Sequence, residues 1–257
     1  MKIDILTLFP EMFVGPFSES IVNRAREKEL VEINLHNLRH WATDKYGTVD
    51  DKPYSGGPGM VIRVDVVDRA LHEINYRMLR AFGIPALQDK FDSLRSLYPW
   101  PKRPRFARMH EIKNQKSKVK MTNENSKIIL LSPKGKDYNQ QIAQKYSKLD
   151  HLILIAGHYE GVDERVAQYL IDEEISIGQY VLTGGEIPAM VVVDSVVRLL
   201  PGALGKEESL VGETHSKPGH KKHPVYTRPE VYKGWKVPEV LLSGDHKEIE
   251  KWKTNKP

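Results

Sequence analysis

The sequence predicts an α/β fold built on a parallel sheet, and three observations carry that prediction. Short apolar runs alternate along the chain with segments of helical period, which is the pattern of strand–helix–strand units. One run, Leu152 to Ala156, is continuously apolar and bounded by charge and glycine, as a strand covered on both faces requires. Finally, glycine-bearing loops follow apolar runs at Leu131-Ser132-Pro133-Lys134-Gly135, at Gly157-His158-Tyr159-Glu160-Gly161 and at Ile177-Gly178 through Gly184-Gly185. Loops of this kind gather at the carboxyl edge of a parallel sheet, where open α/β sheets bind ligands.

The elements follow in order. Lys2 to Leu8 reads as a buried strand closed by Pro10. Phe17 to Leu30 reads as a helix with Ser18 as its cap and Ile21, Val22 and Ala25 on one face. Val31 to His36 is the second strand. Thr43 to Met60 has no period but holds aspartates, two tyrosines and Gly56-Gly57-Pro58-Gly59, so it is a loop of defined shape, and such loops carry function. Val64 to Ile74 is predicted helical, Ser126 to Leu131 a strand, and Tyr138 to Tyr146 a helix. Glu186 to Leu200 is the clearest long helix: Pro188 sits in its first turn, and Val192, Val193, Val196, Val197 and Leu200 make its buried stripe. Beyond Leu204 the chain becomes polar and turn-rich, a linker to a small C-terminal piece whose helix is Lys247 to Lys253.

Composition bounds the function. At 257 residues the chain can bury a large core. It has no cysteine, which removes disulfides and thiolate metal sites and fits a reducing compartment, so a cytoplasmic location is expected. No apolar run reaches the roughly 20 residues of a membrane span, and the first residues do not form a signal peptide. The net charge of +5 is unevenly spread: Arg77 to Lys120 holds twelve Lys and Arg against three Asp and Glu. The same segment carries Tyr98, Trp100 and Phe106 beside prolines. That suits an extended arm on a phosphate backbone with rings for stacking on bases, and it equally suits a solvated, partly disordered insertion.

None of the glycine loops is a dinucleotide or triphosphate signature. Glu160, Asp163, Glu164, Asp172, Glu173 and Glu174 form an acidic cluster, for which solvated helix ends are the commoner explanation. No histidine stands at metal-ligand spacing from them, so no resident metal is expected, and a loosely held, hydrated Mg²⁺ stays open. Ser132 and Ser195 lack a nucleophile-elbow context, and His215, His220 and His223 lie in the polar linker, which disfavours acyl transfer. Arg198, on an otherwise apolar helix, either pairs with a carboxylate such as Asp194 or faces a substrate.

Five segments in fixed order carry a resemblance. They are Leu8-Phe9-Pro10-Glu11-Met12-Phe13, Pro53 to Met60, Tyr159-Glu160-Gly161-Val162-Asp163-Glu164-Arg165, Ile177 to Glu186, and Tyr226-Thr227-Arg228-Pro229. Together the chain is similar to the bacterial tRNA (guanine-N1)-methyltransferases, the TrmD family of the SPOUT superfamily, over most of its length outside residues 76–125.

The resemblance implies a SPOUT fold whose parallel sheet is threaded into a deep trefoil knot, plus a small, mostly helical C-terminal domain. It divides the chain into a methyltransferase domain at 1–204 interrupted by the basic insertion 76–125, a flexible linker at 205–220, and a shortened tRNA-binding domain at 221–257. It assigns S-adenosylmethionine to Leu131, Ser132, Pro133, Gly157, Tyr159, Glu160, Ile177, Gly178, Gln179, Tyr180, Val181, Leu182, Gly184 and Gly185, with Mg²⁺ as a further cofactor. It gives Glu213 the role of general base at N1 of guanosine 37, in the anticodon loop of tRNA, and Arg198 the stabilisation of O6. Asp51, Gly59 and Arg198 fall to the RNA. It also implies a homodimer in which each site joins one subunit's cofactor loops to the other's linker carboxylate. Glu213 and His158 depart from the family's aspartate and arginine, and the chain stops soon after Leu241-Leu242-Ser243-Gly244-Asp245-His246. These departures keep open an alternative, a catalytically weak RNA-binding protein that retains the cofactor pocket.

Overall fold

The structure, a computed structural model, describes residues 1–81, 125–205 and 212–255. The described chain divides into two compact units, Met1–Ala203 and Leu204–Pro257. The basic segment that begins at Arg77 lies, apart from the helix backbone to Ala81, outside the described residues.

In the first unit, β1 (Lys2–Thr7), β2 (Glu32–Asn37), β5 (Ser126–Asp137), β6 (His151–Ala156) and β7 (Glu173–Ser176) form one sheet in the order β2-β1-β6-β5-β7. Every pairing in it is parallel. The sheet is central because β6, flanked by β1 and β5, is buried at all six positions, as its unbroken apolar run requires. Strand side chains alternate between faces, so Ile3, Ile5, Ile129, Leu131, Leu152 and Leu154 join one core cluster and Leu6, Ile128, Leu130, Ile153 and Ile155 the other.

The first cluster is closed by α1 (Val14–Phe17), α2 (Ser20–Glu27), α4 (Gln140–Tyr146) and α6 (Glu186–Val197). All four α6 valines of the predicted stripe, with Leu200 beyond its end, are buried there. The second cluster is closed by α3 (Val64–Ala81) and α5 (Glu164–Tyr169). A short antiparallel pair, β3 (Asp50–Asp51) with β4 (Val61–Ile62), lies inside and beside the shaped loop.

Three expectations are corrected. Ser18 does not cap the second helix: Val14–Phe17 is already a helical turn, and the Ser18 N–H closes it on the carbonyls of Val14 and Gly15 while its hydroxyl donates to Gly15. The chain restarts at Ser20, so the helix begins three residues after Phe17 and ends at Glu27 instead of Leu30. Helix α3 runs to Ala81 instead of Ile74. Strand β5 does not end at Leu131: both Leu131 and Lys136 face Ile175, so Ser132 to Gly135 bulge out and the strand resumes to Asp137.

The second unit holds an antiparallel pair, β8 (Val231–Tyr232) with β9 (Trp235–Lys236), then α7 (Glu239–Leu242) and α8 (His246–Asn255). Trp252 on α8 packs its ring 6.2 Å from those of His223 and Tyr226. Among the described residues no helix is long and apolar enough to cross a membrane.

Candidate active site

The carboxyl ends of β5, β6 and β7 lie side by side, and their loops wall one cavity. Two close backbone crossings shape it. A Cβ on Gly135 would run into the backbone of Ile175, and one on Gly185 would lie 2.7 Å from Ala156 Cα and Gly157 N. Only glycine allows chains to pass at that separation. The second crossing is locked by the Gly185 N–H donating to the Gly157 carbonyl at 2.6 Å and by an antiparallel bridge between His158 and Gly184.

Of the residues assigned to the cofactor, all but Gln179 line this cavity. Leu131, Ile177 and Leu182 are among its apolar lining residues and Ser132, Ser176 and Thr183 among its polar ones. Glu160, Glu164 and Glu174 add negative charge at its margin. Lys134, His158, Glu174 and Thr183 also line the cavity and carry no sequence assignment to it. Their membership of the same glycine loops and strand end was the available signal.

The shaped loop reaches this wall. The Glu160 N–H donates to the Met60 carbonyl, the Ile62 N–H to Gly161 and the Asp163 N–H to Ile62, each at 3.0 Å. Gly59 is thereby pressed against the Glu160 side chain so closely that a Cβ has no room. Asp51, on β3, is exposed, and its carboxylate accepts from the Lys52 N–H. At the foot of the loop, burial raises the Asp65 carboxyl but the guanidiniums of Arg63 and Arg69 outweigh it and hold it below the usual range.

Arg198 stands at the far end of α6 from the cavity. Twelve residues at 1.5 Å rise place it about 18 Å along the helix from Glu186. It is half-buried, and it does not line the cavity of its own chain. Glu213 belongs to the second unit, just past residues 206–211, which lie outside the described residues. Among the described residues no three His, Cys, Asp or Glu side chains converge to hold a metal ion.

A family model described as tRNA (Guanine-1)-methyltransferase TrmD matches residues 1–95 and 107–257. The chain belongs to the TrmD family. The match leaves out only residues 96–106. Curated relatives in this TrmD family include proteins named tRNA (guanine-N(1)-)-methyltransferase from Dehalococcoides mccartyi strain BAV1, 44% identical over 98% of this chain and 84% of the relative. Those from Carboxydothermus hydrogenoformans and Dictyoglomus turgidum are 45% and 46% identical over the same share of this chain, and 81% and 83% of their own lengths.

Proposed function

We propose that this TrmD-family protein methylates N1 of guanosine 37 in tRNA with S-adenosylmethionine as donor. The observation that carries the reading is the cavity that the three glycine loops wall together at the sheet edge, lined by nearly all the residues assigned to the methyl donor. The ligand it would hold supplies a methyl group on a sulfonium, which needs no metal to leave.

The chain's residues do the rest. Guanine N1 carries a proton at neutral pH and is a poor nucleophile until that proton is removed. Glu213 takes it as general base. Negative charge moves to O6, where the Arg198 guanidinium stabilises it. The donor, when bound, would supply the methyl that N1 takes up and would leave as the neutral thioether. Guanosine must be splayed from its loop to expose N1, and Gly59 and Asp51, on the loop tied to Glu160, are the residues assigned to meet it.

A homodimer belongs to the same proposal. It is supported by the separation of Arg198 from its own cavity and by exposed apolar side chains, Met12, Val14, Ile187 and Val191, on and around α6. A partner's Arg198 would then complete each site. The deep trefoil knot is also part of the reading, supported by the crossings at Gly135 and Gly185. The cytoplasm, where tRNA is processed, is the expected location.

The test is to incubate the protein with unmodified tRNA carrying guanosines at positions 36 and 37 and labelled S-adenosylmethionine, then locate the label by nuclease digestion and mass spectrometry. Methyl on N1 of guanosine 37 is expected. Cofactor binding without transfer would instead favour a catalytically weak RNA-binding protein.

A further inference from the structure

Glu186 opens α6 and is 1% exposed. Removing a carboxylate from water costs several kcal/mol unless partners replace the hydration. The N-terminus of α6 favours the charge in part. Its side-chain partners come from two other elements. The Thr7 hydroxyl, at the end of β1 and fully buried, donates to Oε1 at 2.9 Å, and Thr7 in turn accepts the Phe9 N–H at 2.9 Å. On the other side, Nδ1 of His158 lies 3.4 Å from Oε2, at the outer limit of a hydrogen bond. Among the described residues no lysine or arginine forms an ion pair with Glu186.

His158 is also cavity wall. Its ring packs 4.7 Å from that of Phe9 and edge-on to Tyr159 at 5.2 Å, and its backbone bridges Gly184. The buried carboxylate at the start of α6 thus joins the His158 side chain, on the loop after β6, to Thr7 at the end of β1, while the His158 ring packs on the loop after β1 and its backbone on the loop before α6. A carboxylate only accepts, so Nδ1 must carry the proton for the contact to hold.

We propose that His158 is a positioning residue: by donating from Nδ1 to Glu186 it fixes the Gly157–Gly161 wall against Gly184-Gly185 and so sets the affinity of the cavity for S-adenosylmethionine. This rests on the assignment of the cavity to that ligand.

Calorimetric titration of the full chain with S-adenosylhomocysteine tests it. His158→Ala weakens binding about tenfold, whereas His158→Asn, which puts an amide N–H where Nδ1 stands, stays within about threefold of wild type. On a Glu186→Met background, which removes both acceptor oxygens at similar volume, His158→Ala adds nothing further, because its route is already cut. In turnover, KM for the methyl donor rises while kcat changes little. Unchanged binding by His158→Ala, or effects of the two substitutions that multiply, would overturn the role. Should His158→Ala fail to fold, His158→Gln decides, since its amide sits one bond farther out: equal affinity of the Asn and Gln variants overturns the proposal. Wild-type protein that does not bind the ligand at all overturns the cavity assignment and this role together, while wild-type binding with unaffected variants overturns the role alone.

Discussion

Asp4, 1% exposed on β1, accepts from two imidazoles, His36 Nε2 at 2.7 Å and His151 Nε2 at 2.6 Å, with Lys2 Nζ at 3.5 Å. Burial pushes its carboxyl up, but the hydrogen bonds from His151 and His36 outweigh that and hold it well below the usual range. A lowered folded value means stability that is fully present above the unfolded pKa and lost as pH falls toward the folded one. Asp4→Asn is therefore expected to cost roughly 3 kcal/mol near neutrality, as for a broken buried pair. In urea unfolding at a series of pH values, its deficit against wild type should shrink below about pH 4; a deficit constant down to pH 2 would refute the linkage. The cluster was not legible beforehand, because its members lie 32 and 147 residues apart and meet only when β2, β1 and β6 pair. Glu213 is assigned as base only through the family resemblance. If it is the base, Glu213→Gln lowers kcat by about 10²- to 10⁴-fold and leaves the affinity for S-adenosylhomocysteine unchanged, which single-turnover assays and calorimetry check together.

Elements became visible in the sequence to the degree that their period was intact. Strands β1 and β6 and helix α6 showed because each buries a continuous run or stripe. The continuation of β5 was hidden, since Ser132 to Gly135 read as a loop and the strand resumes beyond them in polar residues. The carboxyl-edge cavity was legible as three glycine loops, but the reason for two of the glycines, passage of one chain against another, needs coordinates. Those crossings are where α6 and β5 are least tolerant. Gly185→Ala places a methyl 2.7 Å from the Ala156–Gly157 backbone, which cannot give way as a side chain could. We expect at least the 1–3 kcal/mol of an overpacked core, a matching fall in Tm, and loss of S-adenosylhomocysteine binding. Gly205→Ala, with open space around its Cβ, should leave both readings at wild-type values. Equal behaviour of the two variants would mean the crossing is not a constraint.

At the scale of the molecule, the proposed binding of tRNA turns on charge and on assembly. Residues 96–106, which the family match omits, contain Tyr98, Trp100, Phe106, Lys102, Arg103 and Arg105. Deleting them should lower the slope of log Kd for tRNA against log salt by about 2, at roughly 0.7 to 0.9 per phosphate contact; an unchanged slope would make the segment a solvated insertion. Assembly is the sharper question, because the cavity and Arg198 stand at opposite ends of α6 and one chain alone does not bring them together. If a partner supplies Arg198, two separately inactive variants should rescue each other. Arg198→Ala keeps the cavity and loses the O6 contact. Leu182→Arg, at a cavity position that is 37% exposed, blocks the cavity and keeps Arg198. After unfolding and refolding at equal concentrations, half of the dimers are mixed and each contains one intact composite site, so about a quarter of wild-type activity should return. Mixtures that remain inactive, with mixed dimers demonstrated by native mass spectrometry, would place Arg198 and the cavity of a single chain in one site and would require α6 or its surroundings to rearrange when RNA binds.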